Sequence, residues 1–197
     1  LPFYTQGLDN DNDVHAPPES LLVAGDVRAN ENPLLLSLHT IFMREHNRQA
    51  DHLAMVHPEW DDQQLYDGAR KRVGALIQAI TYQEYLPNLL GPIRMPAYKG
   101  YQPDVDPRIA VEFATAGFRL GHSQLGSTIF RNEPDSDMIA QGDIKLRDAF
   151  FNPAKTLNEG GIAPVLRGAC DYVEQATDIH MVDDVRNFLF GPPGAGG

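Results

Sequence analysis

The 197-residue sequence predicts a mainly α protein with little or no β-structure, on three observations. Apolar residues recur at spacings of three, four and seven over long segments, the period of an amphipathic helix. Those segments open at Pro or Asp and stop at Pro or Gly. Alternation of the strand kind is nearly absent, and no internal repeat is found.

In chain order, residues 1 to 20 are rich in Asp, Asn and Pro, with Asp9-Asn10-Asp11-Asn12-Asp13 followed by Pro17-Pro18. Without an apolar period they read as an extended surface arm that needs something to lie against. Residues 21 to 190 form the folded portion. Pro33 suits a first helical turn, where a missing N–H costs nothing. Leu34, Leu38, Ile41, Phe42 and Leu53 then form one face of a helix running to about Met55, before Pro58. Asp61-Asp62 caps a second helix, whose stripe of Leu65, Ala69, Val73, Leu76, Ile77 and Ile80 continues to Pro87 and predicts a central core helix. A turn-rich connection leads to Asp106-Pro107, which starts a third helix with Ile109, Phe113, Gly117 and Leu120 inward. Its small residues Ala114, Ala116 and Gly117 allow something bulky to approach the backbone.

Beyond His122 the signals weaken. Residues 131 to 143 are polar and irregular, 146 to 151 read as a helical turn, and 162 to 170 as a short helix after Gly160-Gly161. A last helix is expected over 178 to 190, with Ile179, Val182, Val185 and Leu189 buried. The run from Gly191 to Gly197 reads as a Gly/Pro-rich linker to a missing continuation.

Composition narrows the function classes. Lys and Arg number 16 against 27 Asp and Glu, a net charge of −11, and the cations form no cluster. Nucleic-acid affinity rests mostly on cations meeting phosphates, so nucleic acid and anionic membrane are poor partners. A chain of this length buries roughly 70% of its unfolded surface and needs no disulfide staple. The longest apolar runs fall far short of the roughly 20 residues of a membrane span, so no transmembrane segment is expected. The one cysteine, Cys170, has no intrachain partner and reads as a small buried apolar residue. The chain starts at Leu1, shows no export signal, and holds no Asn-X-Ser/Thr sequon.

Seven histidines invite a metal reading, which spacing limits. His39 and His46 share a helix face beside Glu45 but lie about 10 Å apart along the axis, too far to share one ion. Hydrogen bonding within a helical bundle suits them better, and His52 and His57 read as solvated. His122 follows Phe118-Arg119-Leu120-Gly121 on a helix with a near face of Ala and Gly. A lone histidine there is usually a satisfied core residue; the alternative is axial ligation of haem iron, with Arg119 on the same side to pair with a propionate. Arg28 and Glu31 precede the first long helix and either face a ligand at its start or belong to a solvated loop.

These residues carry a resemblance to the animal-type haem peroxidases of the peroxidase–cyclooxygenase superfamily. Ala24-Gly25-Asp26-Val27-Arg28 through Glu31 resembles the family's Ala-Gly-Asp-X-Arg-X-X-Glu segment, and Leu38-His39-Thr40 through Arg44-Glu45-His46-Asn47-Arg48 its following helix. Trp60-Asp61-Asp62, Ile80 through Pro87, Asp106-Pro107-Arg108-Ile109, Phe118 through His122 and Gly160-Gly161-Ile162 through Gly168 keep family order over about residues 20 to 190.

The resemblance implies the central part of a helical haem-peroxidase fold, cut on both sides. It implies a haem-dependent peroxidase, incomplete as this chain alone, that uses hydrogen peroxide to oxidise halide, phenolic or other small reductants through an oxyferryl haem. His122 takes the role of proximal axial ligand of the haem iron, Arg119 that of a propionate partner, and Arg28 that of the catalytic distal arginine. Glu31 matches the carboxylate that forms an ester to haem b. Asn32 stands where the member with a sulfonium link has methionine, so that link is not expected. The distal histidine and the calcium ligands belong upstream, and the asparagine that orients the proximal imidazole belongs after Gly197. Partners are therefore peroxide, small reductants and the remaining peroxidase segments. Secretion or an extracellular place is implied; the lack of cysteine pairs and sequons favours a bacterial-type member, which leaves a cytoplasmic bacterial setting open. Rival readings are a haem-dependent fatty-acid dioxygenase, for which no catalytic tyrosine is identifiable, and a non-catalytic binding or adhesion scaffold.

Overall fold

The computed structural model describes residues 1–4, 7–12, 16–91 and 95–189. The expected linker at 191–197 and Phe190 lie outside the described residues. The fold is mainly α, and its contacts divide into two units: residues 1–40 with 109–197, and residues 41–108. Helix α1 (Pro33–Val56) begins in the first and ends in the second.

In the first unit the N-terminal arm runs beside residues 21 to 27. Val23 N–H donates to Pro2 O at 2.9 Å, Tyr4 N–H to Leu21 O at 3.0 Å, and Asp11 N–H to Val27 O at 2.9 Å. Leu21, Leu22 and Val23 are buried. Asn30 is buried as well, and its amide clips both backbone groups of Leu22: Oδ1 accepts from Leu22 N–H at 2.9 Å and Nδ2 donates to Leu22 O at 2.7 Å. A buried amide satisfied in this way fixes the approach to α1.

Asn32 caps α1, its Oδ1 accepting from Leu35 N–H at 2.9 Å, with Pro33 next. The helix bounds match expectation; the buried face does not. Leu36, Ser37, Thr40 and Leu53 are buried, whereas Leu38 and Ile41 are exposed. Ser37 and Thr40 tolerate burial because each hydroxyl donates to a carbonyl one turn back, Pro33 O at 2.6 Å and Leu36 O at 2.8 Å.

The expected third helix from Asp106 is replaced by short pieces. Helix α4 spans only Val111–Thr115 and breaks at Ala116, followed by a 3₁₀ turn at Gly117–Leu120 and helix α5 at Gly121–Gln124. Ile109 and Phe113 are exposed rather than inward. Asp106 is spent on Arg108, accepting from its backbone N–H at 3.0 Å and pairing with its guanidinium at 2.6 Å.

Strands β1 (Thr128–Ile129) and β2 (Ile144–Lys145) pair antiparallel around the polar stretch 131 to 143. That stretch is organised by Arg131, which is fully buried. Its Nε donates to Gly142 O at 2.7 Å, Nη2 to Gln141 O at 3.1 Å and Nη1 to Glu159 Oε2 at 2.8 Å. Helices α6 (Leu146–Ala149), α7 (Pro153–Asn158), α8 (Ile162–Asp171) and α9 (Asp183–Phe188) follow. The core gathers Ile129, Ile144, Leu146, Phe150, Phe151, Val165 and Val185. A Cβ on Gly168 would run into the Phe130 carbonyl, so only glycine lets α8 approach this closely. Cys170 is exposed, not buried as expected. Two residues beyond Gly168, at about 100° per residue, it points away from the face that α8 packs inward. Helix α9 starts at Asp183 rather than Asp178, whose side chain instead accepts from His180 N–H at 2.7 Å. Buried Asp184 ties α9 to α6 through Arg147 Nε at 2.9 Å and Nη2 at 3.1 Å.

In the second unit α2 (Asp62–Ile80) opens with a capping box between Asp61 and Gln64. A π turn at Thr81–Tyr85 then absorbs Pro87, whose missing N–H breaks the ladder, and α3 continues over Leu86–Leu90. Ala69 and Val73 are buried, but Leu76 and Ile77 are exposed, so α2 is not a central core helix within this chain. A Cβ on Gly68 would stand 2.9 Å from Leu53 and 3.0 Å from Trp60, which marks where α2 meets the end of α1. His46 Nε2 lies 3.2 Å from Tyr66 O, as bundle hydrogen bonding predicts. His57 is not simply solvated: its ring stacks on Trp60 at 4.1 Å and 6°. Among the described residues no group of three or more His, Cys, Asp or Glu is arranged to hold a metal ion, and no helix is long and apolar enough to cross a membrane.

Candidate functional site

The residues singled out from sequence converge. Arg28, Glu31, Arg119 and His122 line one cavity of about 310 Å³, together with Asp11, Asp26, Leu35, Phe151 and Leu189. Two short segments, far apart in the chain, supply the four.

The first is the turn before α1. Ala29 N–H donates to Asp26 O at 3.2 Å and Glu31 N–H to Arg28 O at 2.9 Å, folding residues 26 to 31 back on themselves above fully buried Ala29. Asp26 Oδ1 accepts from Arg28 N–H at 2.9 Å and from Nε at 3.0 Å, and Oδ2 accepts from Nη2 at 2.8 Å. This charged, forked pairing holds the Asp26 carboxyl down to about 2. Glu31 is fixed from the other side, its carbonyl accepting from Phe151 N–H at 3.3 Å. Phe151 is buried with φ +49°, a conformation unusual for a bulky residue. Burial pushes the Glu31 carboxyl above its ordinary value, against the opposing pull of Arg28 and His122.

The second segment is the pair of short turns carrying Arg119 and His122. Helix α5 is too brief to hold itself, and its neighbours brace it. Ser123 Oγ donates to Leu120 O at 2.9 Å, Gln124 Nε2 to Thr177 Oγ1 at 3.1 Å, and Gln175 N–H to Gln124 O at 3.0 Å.

Glu31, His122 and Leu189 also border a second, mostly apolar cavity of about 120 Å³. Leu34, Leu125, Ile129, Phe130, Leu146, Phe150 and Tyr172 supply much of its wall. The arrangement thus places an imidazole and a partly desolvated carboxyl between an apolar space and one lined by two guanidinium groups. Sequence reasoning missed Asn30, Phe151 and Asp11. Nothing in the periodicity marks them: Asn30 and Phe151 act through backbone contacts, and Asp11 reaches the cavity only because the arm folds beside residues 21 to 27.

On this mainly helical scaffold one imidazole and one half-buried carboxyl border both an apolar cavity and a second cavity lined by two arginines, an arrangement able to hold a flat, partly anionic ligand. The chain belongs to the animal haem peroxidase family, whose model matches residues 1–197. It is 42% identical over its whole length to peroxinectin A of Dictyostelium discoideum, of which it covers 36%. It is 45% identical over 172 residues to the peroxidasin homolog of Mus musculus, covering 85% of this chain and 12% of that one. With lactoperoxidase of Mesocricetus auratus the figures are 42% over 176 residues, 86% of this chain and 25% of the relative. The solved structure of peroxidase A from Dictyostelium discoideum superposes with a TM-score of 0.92 at 41% identity, over 100% of this chain and 38% of that one. The chain therefore spans little more than a third of peroxinectin A, and less of the other two curated relatives.

Proposed function

We propose that this chain supplies part of the haem site of a peroxidase in which hydrogen peroxide oxidises halide, phenolic or other small reductants. The observation that carries the reading is the convergence of Arg28, Glu31, Arg119 and His122 on one cavity. The donor set fits a haem: an imidazole nitrogen for iron, the Arg119 guanidinium for an anionic propionate, and an adjoining apolar wall for the macrocycle. Haem, when bound, supplies the redox chemistry.

The chain's residues then divide the remaining work. His122, held by the bracing of α5, would be the proximal ligand of the haem iron. Arg119 would pair with a haem propionate. Arg28 would direct N–H donors at peroxide and stabilise the negative charge that develops on its oxygens. Glu31, half-buried in the same cavity, would form an ester to a methyl of haem b, with hydrogen peroxide as the two-electron oxidant that removes the methyl hydrogen. Asn32 has no thioether sulfur and makes no sulfonium link. The distal proton carrier, calcium and its ligands belong to other segments of the full-length protein, for which secretion is the proposed setting.

The test is substitution in the full-length protein. His122→Ala should abolish the histidine-ligated haem spectrum and nearly all turnover, while His39→Ala and His46→Ala should act through stability alone. An unchanged haem spectrum after His122→Ala would refute the assignment.

A further inference from the structure

We propose that Asp26 is the positioning residue for Arg28, clamping one edge of its guanidinium so that the other edge is presented to peroxide. The inference rests on the reading of Arg28 given above and adds a residue to it.

Asp26 and Arg28 are two apart in one turn, and three hydrogen bonds join them. The contact from Arg28 N–H to Oδ1 sets the turn itself. Those from Nε and Nη2 fix the plane of the guanidinium, as a forked carboxylate does. Nη1 makes no hydrogen bond among the described residues, which leaves its protons to face a ligand. Both side chains line the cavity shared with Glu31, Arg119 and His122. Asp11 and Glu31 border the same cavity and act on Arg28 through charge, without a hydrogen bond among those described.

The pair's exposure separates orientation from stability. The Arg28 side chain is 52% exposed and that of Asp26 35%. An ion pair so open to water contributes at most about 1 kcal/mol to folding. An unrestrained arginine side chain samples many rotamers, and misplacing an intact catalytic group costs about 10- to 100-fold in rate. Asp26 therefore matters to the reaction far more than to the fold.

The experiment is a double-mutant cycle in the full-length, haem-loaded protein, read by stopped-flow reaction with hydrogen peroxide. Cyanide affinity of the ferric protein, titrated by absorbance, gives a readout independent of turnover. Asp26→Ala should slow the peroxide reaction about 10- to 100-fold and weaken cyanide binding, with the haem spectrum and thermal midpoint nearly unchanged. Arg28→Ala should slow it about 100- to 1,000-fold. The double variant should be no slower than Arg28→Ala, because a positioning residue has nothing left to position. Asp26→Asn, the least disturbing change to the turn, should fall between Asp26→Ala and the parent. A slow Arg28→Ala beside an unaffected Asp26→Ala and Asp26→Asn would overturn the inference and leave the Arg28 reading standing. So would additive losses in the double variant. An Arg28→Ala variant as fast as the parent would overturn both.

Discussion

Replacing Arg131 by methionine isolates what holds the wall of the site beside His122. Arg131 is fully buried, and its guanidinium joins Gly142 O, Gln141 O and Glu159 Oε2. Methionine retains much of the apolar stem but removes all three donors. Gln141 is exposed and Gly142 half-buried, so the loss at each carbonyl is set at the low end of the usual range, about 1 kcal/mol. The Glu159 side chain is 30% exposed and can resolvate, which limits that loss to about 1 kcal/mol as well. Together about 3 kcal/mol should disappear from the loop and hairpin. At about 1.4 kcal/mol per factor of ten, local opening should increase about 100-fold. Hydrogen exchange on the full-length protein, read by mass spectrometry, reports this directly. The amides of Ile139 and Gly142, bonded to Arg131 O at 3.0 Å and Ile139 O at 2.8 Å, should exchange about 100-fold faster, while α1 peptides stay unchanged. Because β1 and Phe130 line the apolar cavity, the haem environment should loosen with them. Acceleration below about threefold, or an equal rise in α1, would refute the reasoning.

Gly168→Ala should destabilise by about 1–3 kcal/mol, because its Cβ meets the Phe130 carbonyl. Gly74→Ala, in the interior of α2 with open space around it, should stabilise by about 0.5–1 kcal/mol; thermal unfolding compares the two. The folded state raises the Glu31 carboxyl, mainly by burial, so ionisation of Glu31 works against folding as pH rises through its folded value. In the haem-free protein Glu31→Gln should therefore raise the melting temperature at pH 7 and leave it unaltered in acid. Asp184 behaves in the opposite sense. Burial pushes its carboxyl up, but hydrogen bonds from Arg147 and Ser127 outweigh that and leave it lowered. Its stabilisation is present at neutral pH and is lost as pH falls below the ordinary carboxylate value near 3.9. Asp184→Asn should lower the neutral melting temperature and flatten the acid limb. After peroxide turnover, acid-solvent extraction and peptide mass spectrometry should find haem retained through Glu31 and released in Glu31→Gln, with no red-shifted sulfonium spectrum.

Legibility in the sequence follows how local each determinant is. The bounds of α1 and the start of α2 were readable because Asn32-Pro33 and Asp61 through Gln64 act within one turn. Which face of α1 is buried was not, since Ser37 and Thr40 look polar in sequence and become neutral packing surfaces only after bonding their own helix. The stripe of α2 misled for the converse reason. Period alone shows that Leu76 and Ile77 share a face, whereas burial depends on what lies opposite. Arg131 left no periodic trace: a cation among polar residues reads as surface until the carbonyls of a distant-looking turn and Glu159 enclose it. The candidate site shows the same division. Spacing alone does not decide between a core histidine and an iron ligand at His122, nor between a solvated and a ligand-facing Arg28, and only the resemblance to the family's motifs joins the two. Their common cavity then depends on contacts that no spacing contains, above all the Phe151 amide on the Glu31 carbonyl and the bracing of α5 from residues 175 and 177. A four-residue helix has too few internal hydrogen bonds to set its own direction, so the aim of the His122 imidazole is a property of the surrounding chain rather than of its own segment.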